Sequence, residues 1–167
     1  TKASFDNAMT TVLALAGSTN AVVHMIAVSR RAGFPLTLNY IDALARKVPV
    51  LANLRPAGQF LMEDFYYAGV LRALLKQLSP VLDLKQQTVD GKSLGELIAD
   101  AKVYKPEVIR SPDNPLVPKD SLAVLKGNLA PDGAVIKPPA AEPHLLQHTG
   151  KAVVFKNYDD LAARIDD

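Results

Sequence analysis

The sequence predicts an α/β fold in which helices come first and strands come last. Three observations carry this reading. Apolar residues recur at helical spacing through the first half of the chain. Residues 104–119 then hold Pro106, Pro112, Pro115 and Pro118 with few periodic apolar positions. Beyond them, short apolar runs separated by Gly- and Pro-containing turns have the texture of strands.

The elements follow in chain order. Phe5, Met9, Val12, Leu13 and Ala16 mark one face of an amphipathic helix. Gly17 is placed to stop it in the left-handed conformation, and Ser18, Thr19 and Asn20 supply cap chemistry for a second helix over residues 19–31. Ala21, Val22, Val23, Met25, Ile26, Ala27 and Val28 cover nearly every face of that helix, which predicts burial all round. Arg30 and Arg31 suit its C-terminal dipole, and Gly33 closes it. Thr37 starts a short helix through Ala45, and "VPVLANL" (48–54) reads as a buried strand followed by the turn "RPAGQ". Residues 61–67 and 70–78 read as helices with Gly69 between them. Asp90-Gly91 marks a turn, after which Ser93 and Glu96 form a capping box for a helix over 94–101. Residues 122–126, the segment after Asp132-Gly133, and "KAVVF" (151–155) read as strands, and 158–165 as a terminal helix.

Composition narrows the function classes. The 167 residues carry 19 basic and 17 acidic side chains, a net charge of +2, which makes no electrostatic case for nucleic acid or an anionic membrane. There is no cysteine, so this chain cannot supply a disulfide, a catalytic thiolate or cysteine ligands to a metal. That fits a cytoplasmic setting. The longest apolar run, Ala21 to Val28, is too short to span a bilayer. The chain opens at Thr1 without a methionine and ends directly after a helix-like segment, which suggests a section of a longer protein.

Ser18, Thr19 and Asn20 form the main candidate site. A helix start exposes unpaired N–H groups and a partial positive charge, and three short hydrogen-bonding side chains at that point suit a carboxylate or phosphate. One cap plus local backbone bonds accounts for the same residues without any ligand. Glu63-Asp64 beside Tyr66-Tyr67 reads as helix-face charge next to core aromatics, since successive helical residues point about 100° apart. His24 reads as a packed, hydrogen-bonded residue. His144 and His148 have metal-ligand spacing but no third ligand, and "GKS" (91–93) lacks the upstream glycine of a phosphate loop.

Four segments carry more than any one motif. "GSTNAVVHMIAVSRRAG", "VPVLANLRPAGQFLMEDFYYAG", "GNLAPDGAVIKPPAA" and "HTGKAVVF" resemble, in order and spacing, the dihydroxy-acid dehydratase / 6-phosphogluconate dehydratase family. "MEDFYYAG" resembles its sugar-acid (aldonate) branch. The resemblance implies that residues 1–104 are the end of an N-terminal α/β/α domain. It makes 105–120 a Pro-rich crossing and 121–167 the first strands of a C-terminal β-rich, swivelling-type domain. It implies a hydro-lyase that converts a 2,3-dihydroxy acid to a 2-keto acid, using an iron–sulfur cluster of the 2Fe–2S or 4Fe–4S type and Mg²⁺.

The family's cluster cysteines, Mg²⁺ ligands and serine base have no counterpart in these residues, so the expectation is an inactive section of an active parent. What remains by resemblance is the substrate-pocket wall at Gly17, Ser18, Thr19 and Asn20. Lys137 reaches toward an active-site edge, and the Asp132-Gly133 turn is structural. The implied partners are a sugar acid or dihydroxy acid, the rest of the parent chain, and further copies in a dimer or tetramer. Two rival readings remain: a non-catalytic binding or assembly module derived from this fold, and a free-standing anion-binding domain.

Overall fold

A computed structural model describes residues 1–166. Seven α-helices and one two-stranded antiparallel sheet make up its regular structure: α1 (Lys2–Ala14), α2 (Thr19–Arg31), α3 (Leu38–Ala45), α4 (Met62–Tyr67), α5 (Val70–Gln77), α6 (Leu94–Leu97), β1 (Ala123–Leu125), β2 (Ala134–Ile136) and α7 (Tyr158–Arg164). No helix is long and apolar enough to cross a membrane among the described residues.

Local chemistry explains where the helices begin. Thr1, Ser18, Thr37, Ser93 and Asn157 each turn a side-chain oxygen onto a backbone N–H of the first turn. At α6 the pairing is reciprocal, because the Glu96 carboxylate accepts from Ser93 N at 2.8 Å while Ser93 Oγ accepts from Glu96 N at 3.2 Å. That cap holds the Glu96 carboxyl below its ordinary pKa through the Ser93 hydroxyl and N–H. The helix it opens ends at Leu97 rather than running on to 101.

The core sits around residues 48–54. Val50, Leu51 and Ala52 are fully enclosed, with Met9 and Leu13 of α1, Ile41 of α3 and Leu74 of α5 belonging to the same cluster. This segment is extended and buried, as its apolar run predicts, but it pairs only at single positions. Leu51 N and Ala52 N both donate to Ala14 O at the end of α1. Val50 exchanges bonds with 116–117, Leu51 O accepts from Arg110 N, and Asn53 N donates to Val108 O. The Pro-rich stretch therefore lies against the core, with Val108 and Ile109 buried, instead of spanning open space. Pro112, Pro115 and Pro118 lack the N–H a continuous ladder needs, so the contacts come in separate patches.

The β1–β2 hairpin pairs Ala123 with Ile136, Val124 with Val135 and Leu125 with Ala134. Gly133, at φ 111°, makes the turn into β2 where a Cβ would press on Val124 and Leu38. The hairpin docks on α3 through Asp42, whose Oδ1 accepts from Val124 N at 2.9 Å. The second Asp42 oxygen takes both Nε and Nη2 of Arg46 at 3.1 and 2.9 Å.

Several expectations need correction. Helix α2 is not buried all round: Val22 and Ser29 face the core, but Val23 and Val28 are 66% and 56% exposed. The interior wall beside α2 is one-sided, and no described element covers its other face. His24 lies on that open face without a hydrogen-bond partner among the described residues. Residues 151–155 form no strand, because no described strand lies beside them, and Val153 and Val154 are exposed. On α4 the buried aromatic is Phe65, while Tyr66 and Tyr67 face outward.

Candidate functional site

The chain reverses between α1 and α2 in a tight turn that aims the start of α2 at a cleft. Ala16 N donates to Leu13 O and Gly17 N to Val12 O, both at 2.9 Å, the paired bonds of a Schellman ending. The left-handed residue is Ala16, at φ 45°, and not Gly17. Gly17 is needed for a different reason. A Cβ there would sit 3.0 Å from both Cγ1 and the carbonyl oxygen of Val12. The turn closes only because that atom is missing.

The next residues divide the donors between structure and cleft. Ser18 Oγ accepts from Asn20 N at 3.2 Å, and Ser18 O accepts from Ala21 N at 3.0 Å. Thr19 N–H is left as the helix-end donor, with the positive end of a 13-residue helix behind it. Ser18 keeps its hydroxyl proton free to donate, because its oxygen is the acceptor in the cap.

Beside this turn, residues 54–60 form a closed loop. Arg55 N donates to Phe60 O, Gly58 N to Leu54 O and Phe60 N to Asn53 O. Asn53 is buried and satisfied at both ends of its amide, donating to Glu107 O at 3.0 Å and accepting from Gln59 N at 3.0 Å. Gly58 packs over it where a Cβ would fall 2.6 Å from the Asn53 carbonyl carbon. Arg55 Nε donates to Gln59 O at 3.1 Å, which fixes the base of the guanidinium.

These pieces meet in one cleft of about 490 Å³, lined by Leu15, Gly17, Ser18, Thr19, Leu54, Arg55, Pro56, Met62 and Lys137 together with Ala16. The hairpin brings Lys137 to it, directly after β2. Burial pushes the Lys137 ammonium below its ordinary pKa. The cleft therefore combines a helix start, two hydroxyls and two cations with an apolar wall, and no carboxylate lines it. An acid of modest size is the ligand such a surface favours.

Of the three predicted site residues, Ser18 and Thr19 line this cleft, whereas Asn20 is exposed outside it and serves the cap. Arg55 and Met62 went unread, because a turn arginine and a helix-start methionine carry no motif. Glu63 and Asp64 do not converge: Asp64 accepts from Leu61 N at 3.0 Å and pairs with Lys105 at 3.6 Å, while Glu63 is exposed. Pro143–Leu145 form a 3₁₀ turn, with exposed His144 inside it and exposed His148 beyond it. No three His, Asp or Glu side chains gather as a metal site among the described residues.

The fold and cleft define a section of an α/β protein with an acid-binding surface between helices and a hairpin. Comparison with known proteins gives the family. The pattern described as Dihydroxy-acid/6-phosphogluconate dehydratase N-terminal matches residues 1–97, and its C-terminal counterpart matches 107–167. The chain belongs to the dihydroxy-acid/6-phosphogluconate dehydratase family. It is 49% identical over 164 residues to 6-deoxy-6-sulfo-D-gluconate dehydratase of Pseudomonas putida, covering 96% of this chain and 28% of that protein. It is 44% identical over 169 residues to L-arabinonate dehydratase of Rhizobium leguminosarum bv. trifolii, covering 100% of this chain and 29% of that one. A dihydroxy-acid dehydratase of Caldicellulosiruptor saccharolyticus is 43% identical over 160 residues, covering 95% and 29%. The chain thus spans less than a third of the length of the curated relatives it matches.

Proposed function

We propose that this chain is the substrate-holding section of a hydro-lyase that dehydrates a sugar acid or related 2,3-dihydroxy acid to a 2-keto acid. The observation that carries the reading is the cleft where Ser18, Thr19, Arg55 and Lys137 converge. Thr19 N–H and the Ser18 and Thr19 hydroxyls hold the acid's oxygens. Arg55 and Lys137 balance its charge, and Leu15, Leu54, Pro56 and Met62 keep water from one side. Sugar-acid substrates are favoured because the relatives named as sugar-acid dehydratases share 44% and 49% of their aligned residues with this chain.

The resemblance also implies an iron–sulfur cluster and Mg²⁺. Residues of this chain do not fit either group: it has no cysteine, and its described acidic and histidine side chains form no triad. Its share of the reaction is binding and orientation. In this reading residues 1–104 end the N-terminal α/β/α domain, 105–120 cross over, and 121–167 open the C-terminal domain. Further copies in a dimer or tetramer complete the assembly. Val23 and Val28 on α2 and Tyr66 and Tyr67 on α4 support burial against other parts of the assembly, since clustered exposed apolar surface is ordinarily covered.

The test is an assay of the full-length parent with D-gluconate, L-arabinonate and 2,3-dihydroxyisovalerate, reading 2-keto acid. Keto acid from at least one of them is expected. Its absence with all three overturns the proposal.

A further inference from the structure

The cleft carries an imbalance of charge. Arg55 and Lys137 are the ionised side chains that line it, and no Asp or Glu does. Arg55 commits Nε to the Gln59 carbonyl, which leaves its two terminal nitrogens without a protein acceptor among the described residues. Lys137 is half-buried, and no described carboxylate lies within ion-pair distance of it. Removing an ammonium from water beside a guanidinium is unfavourable unless a counter-charge arrives.

The two cations also have separate supports. Arg55 sits on the loop pinned by Asn53, and Lys137 follows the hairpin pinned by Asp42. Arg55 lies within the N-terminal family match and Lys137 within the C-terminal one. Each is held by its own buried or part-buried side chain, so their convergence is a built feature of the cleft and not the chance meeting of two long side chains.

We propose that Lys137 and Arg55 form a two-cation clamp that makes the cleft selective for an ionised carboxylate over neutral sugars of the same shape, with Lys137 as the specificity-determining residue. This rests on the reading of the cleft as the acid-binding site. The clamp rejects a neutral analogue because that ligand leaves both cations uncompensated. It also ties the hairpin to the start of α2 whenever an acid is bound.

The experiment uses the full-length parent and 3-deoxy-D-gluconate, which keeps the carboxylate but lacks the hydroxyl that dehydration would remove. Its carboxamide is the neutral control. Calorimetric titration is expected to show binding of the acid and at least tenfold weaker binding of the amide. Lys137→Gln weakens the acid about tenfold or more and leaves the amide unchanged, while Lys137→Arg retains most of the acid affinity. Because burial lowers the Lys137 pKa, wild-type affinity for the acid falls with rising pH before the ordinary lysine value of 10.5, and Lys137→Arg moves that loss to higher pH. Should Lys137→Gln not fold, as judged by circular dichroism, Arg55→Gln reads the same loss of discrimination. The clamp is overturned if the variant binds the acid like wild type, if wild type binds the amide as well as the acid, or if it binds neither. A parent that binds the acid through Lys137 yet forms no 2-keto acid keeps the clamp and loses the dehydratase reading. One that forms keto acid while Lys137→Gln binds like wild type loses only the clamp.

Discussion

Replacing Asp42 by Asn tests how the hairpin that carries Lys137 is held. Asp42 Oδ1 accepts from Val124 N at 2.9 Å, and Oδ2 accepts from Arg46. The Asp42 side chain is 19% exposed and that of Arg46 is 64% exposed. The exposed guanidinium contributes little, at most about 0.5 kcal/mol. A hydrogen bond from a backbone N–H to a charged acceptor is worth roughly 1.5–3 kcal/mol. Asparagine keeps an acceptor oxygen but loses the charge and turns an NH₂ toward Arg46. The expected loss is about 2 kcal/mol in the local docking of β1 on α3. Hydrogen exchange reads it directly: amides of 123–136 in the full-length protein should exchange about 30-fold faster in the variant near neutral pH.

The pH dependence has a fixed sign. The Val124 N–H, ahead of the Arg46 guanidinium, holds the Asp42 carboxyl below its ordinary pKa of 3.8. A lowered carboxyl pKa means that the stabilisation is complete above that ordinary value and is lost as pH falls through the folded-state one. The difference between wild type and Asp42→Asn should therefore shrink in acid and vanish once the carboxyl is protonated. Equal exchange rates at neutral pH would refute the reasoning, as would a difference that persists unchanged in acid.

Other substitutions follow from the same geometry. Gly58→Ala places a Cβ 2.6 Å from the Asn53 carbonyl carbon and 2.7 Å from Leu54 N, so the loop carrying Arg55 must shift. The expected cost is about 3 kcal/mol, read as a lowered denaturation midpoint. Ser18→Ala removes the cap on Asn20 N and should destabilise by about 1 kcal/mol in the same measurement. Ser18→Asp keeps a cap acceptor but sets a negative charge at the cleft, so stability should hold while affinity for 3-deoxy-D-gluconate drops at least tenfold. Leu51→Ala, at a fully buried position, should cost about 2–5 kcal/mol in denaturant titration.

Legibility in the sequence followed the range of the interactions. Ser18, Thr37 and Ser93 announce helices because a cap is satisfied within three residues, and all three helices begin where those residues put them. Residues 48–54 are legible as buried and extended, but not their partners, since 108–110 and 116–117 lie far along the chain and are broken by prolines. The burial of α2 was misread because apolar content reports what a helix can bury, not whether this length of chain brings a second wall to Val23 and Val28. "KAVVF" has strand composition without a strand to pair with. At the site, Ser18 and Thr19 show themselves through cap chemistry. Arg55 and Lys137 join them only through the Asn53-pinned loop and the Asp42-pinned hairpin, contacts with no local signature.

The most direct measurement is a crystal structure of the full-length parent with 3-deoxy-D-gluconate bound. The account predicts its carboxylate between Thr19 N, Arg55 and Lys137, with the Ser18 hydroxyl within hydrogen-bond distance of a ligand oxygen. An acid seated elsewhere, with only solvent between Thr19, Arg55 and Lys137, would contradict it.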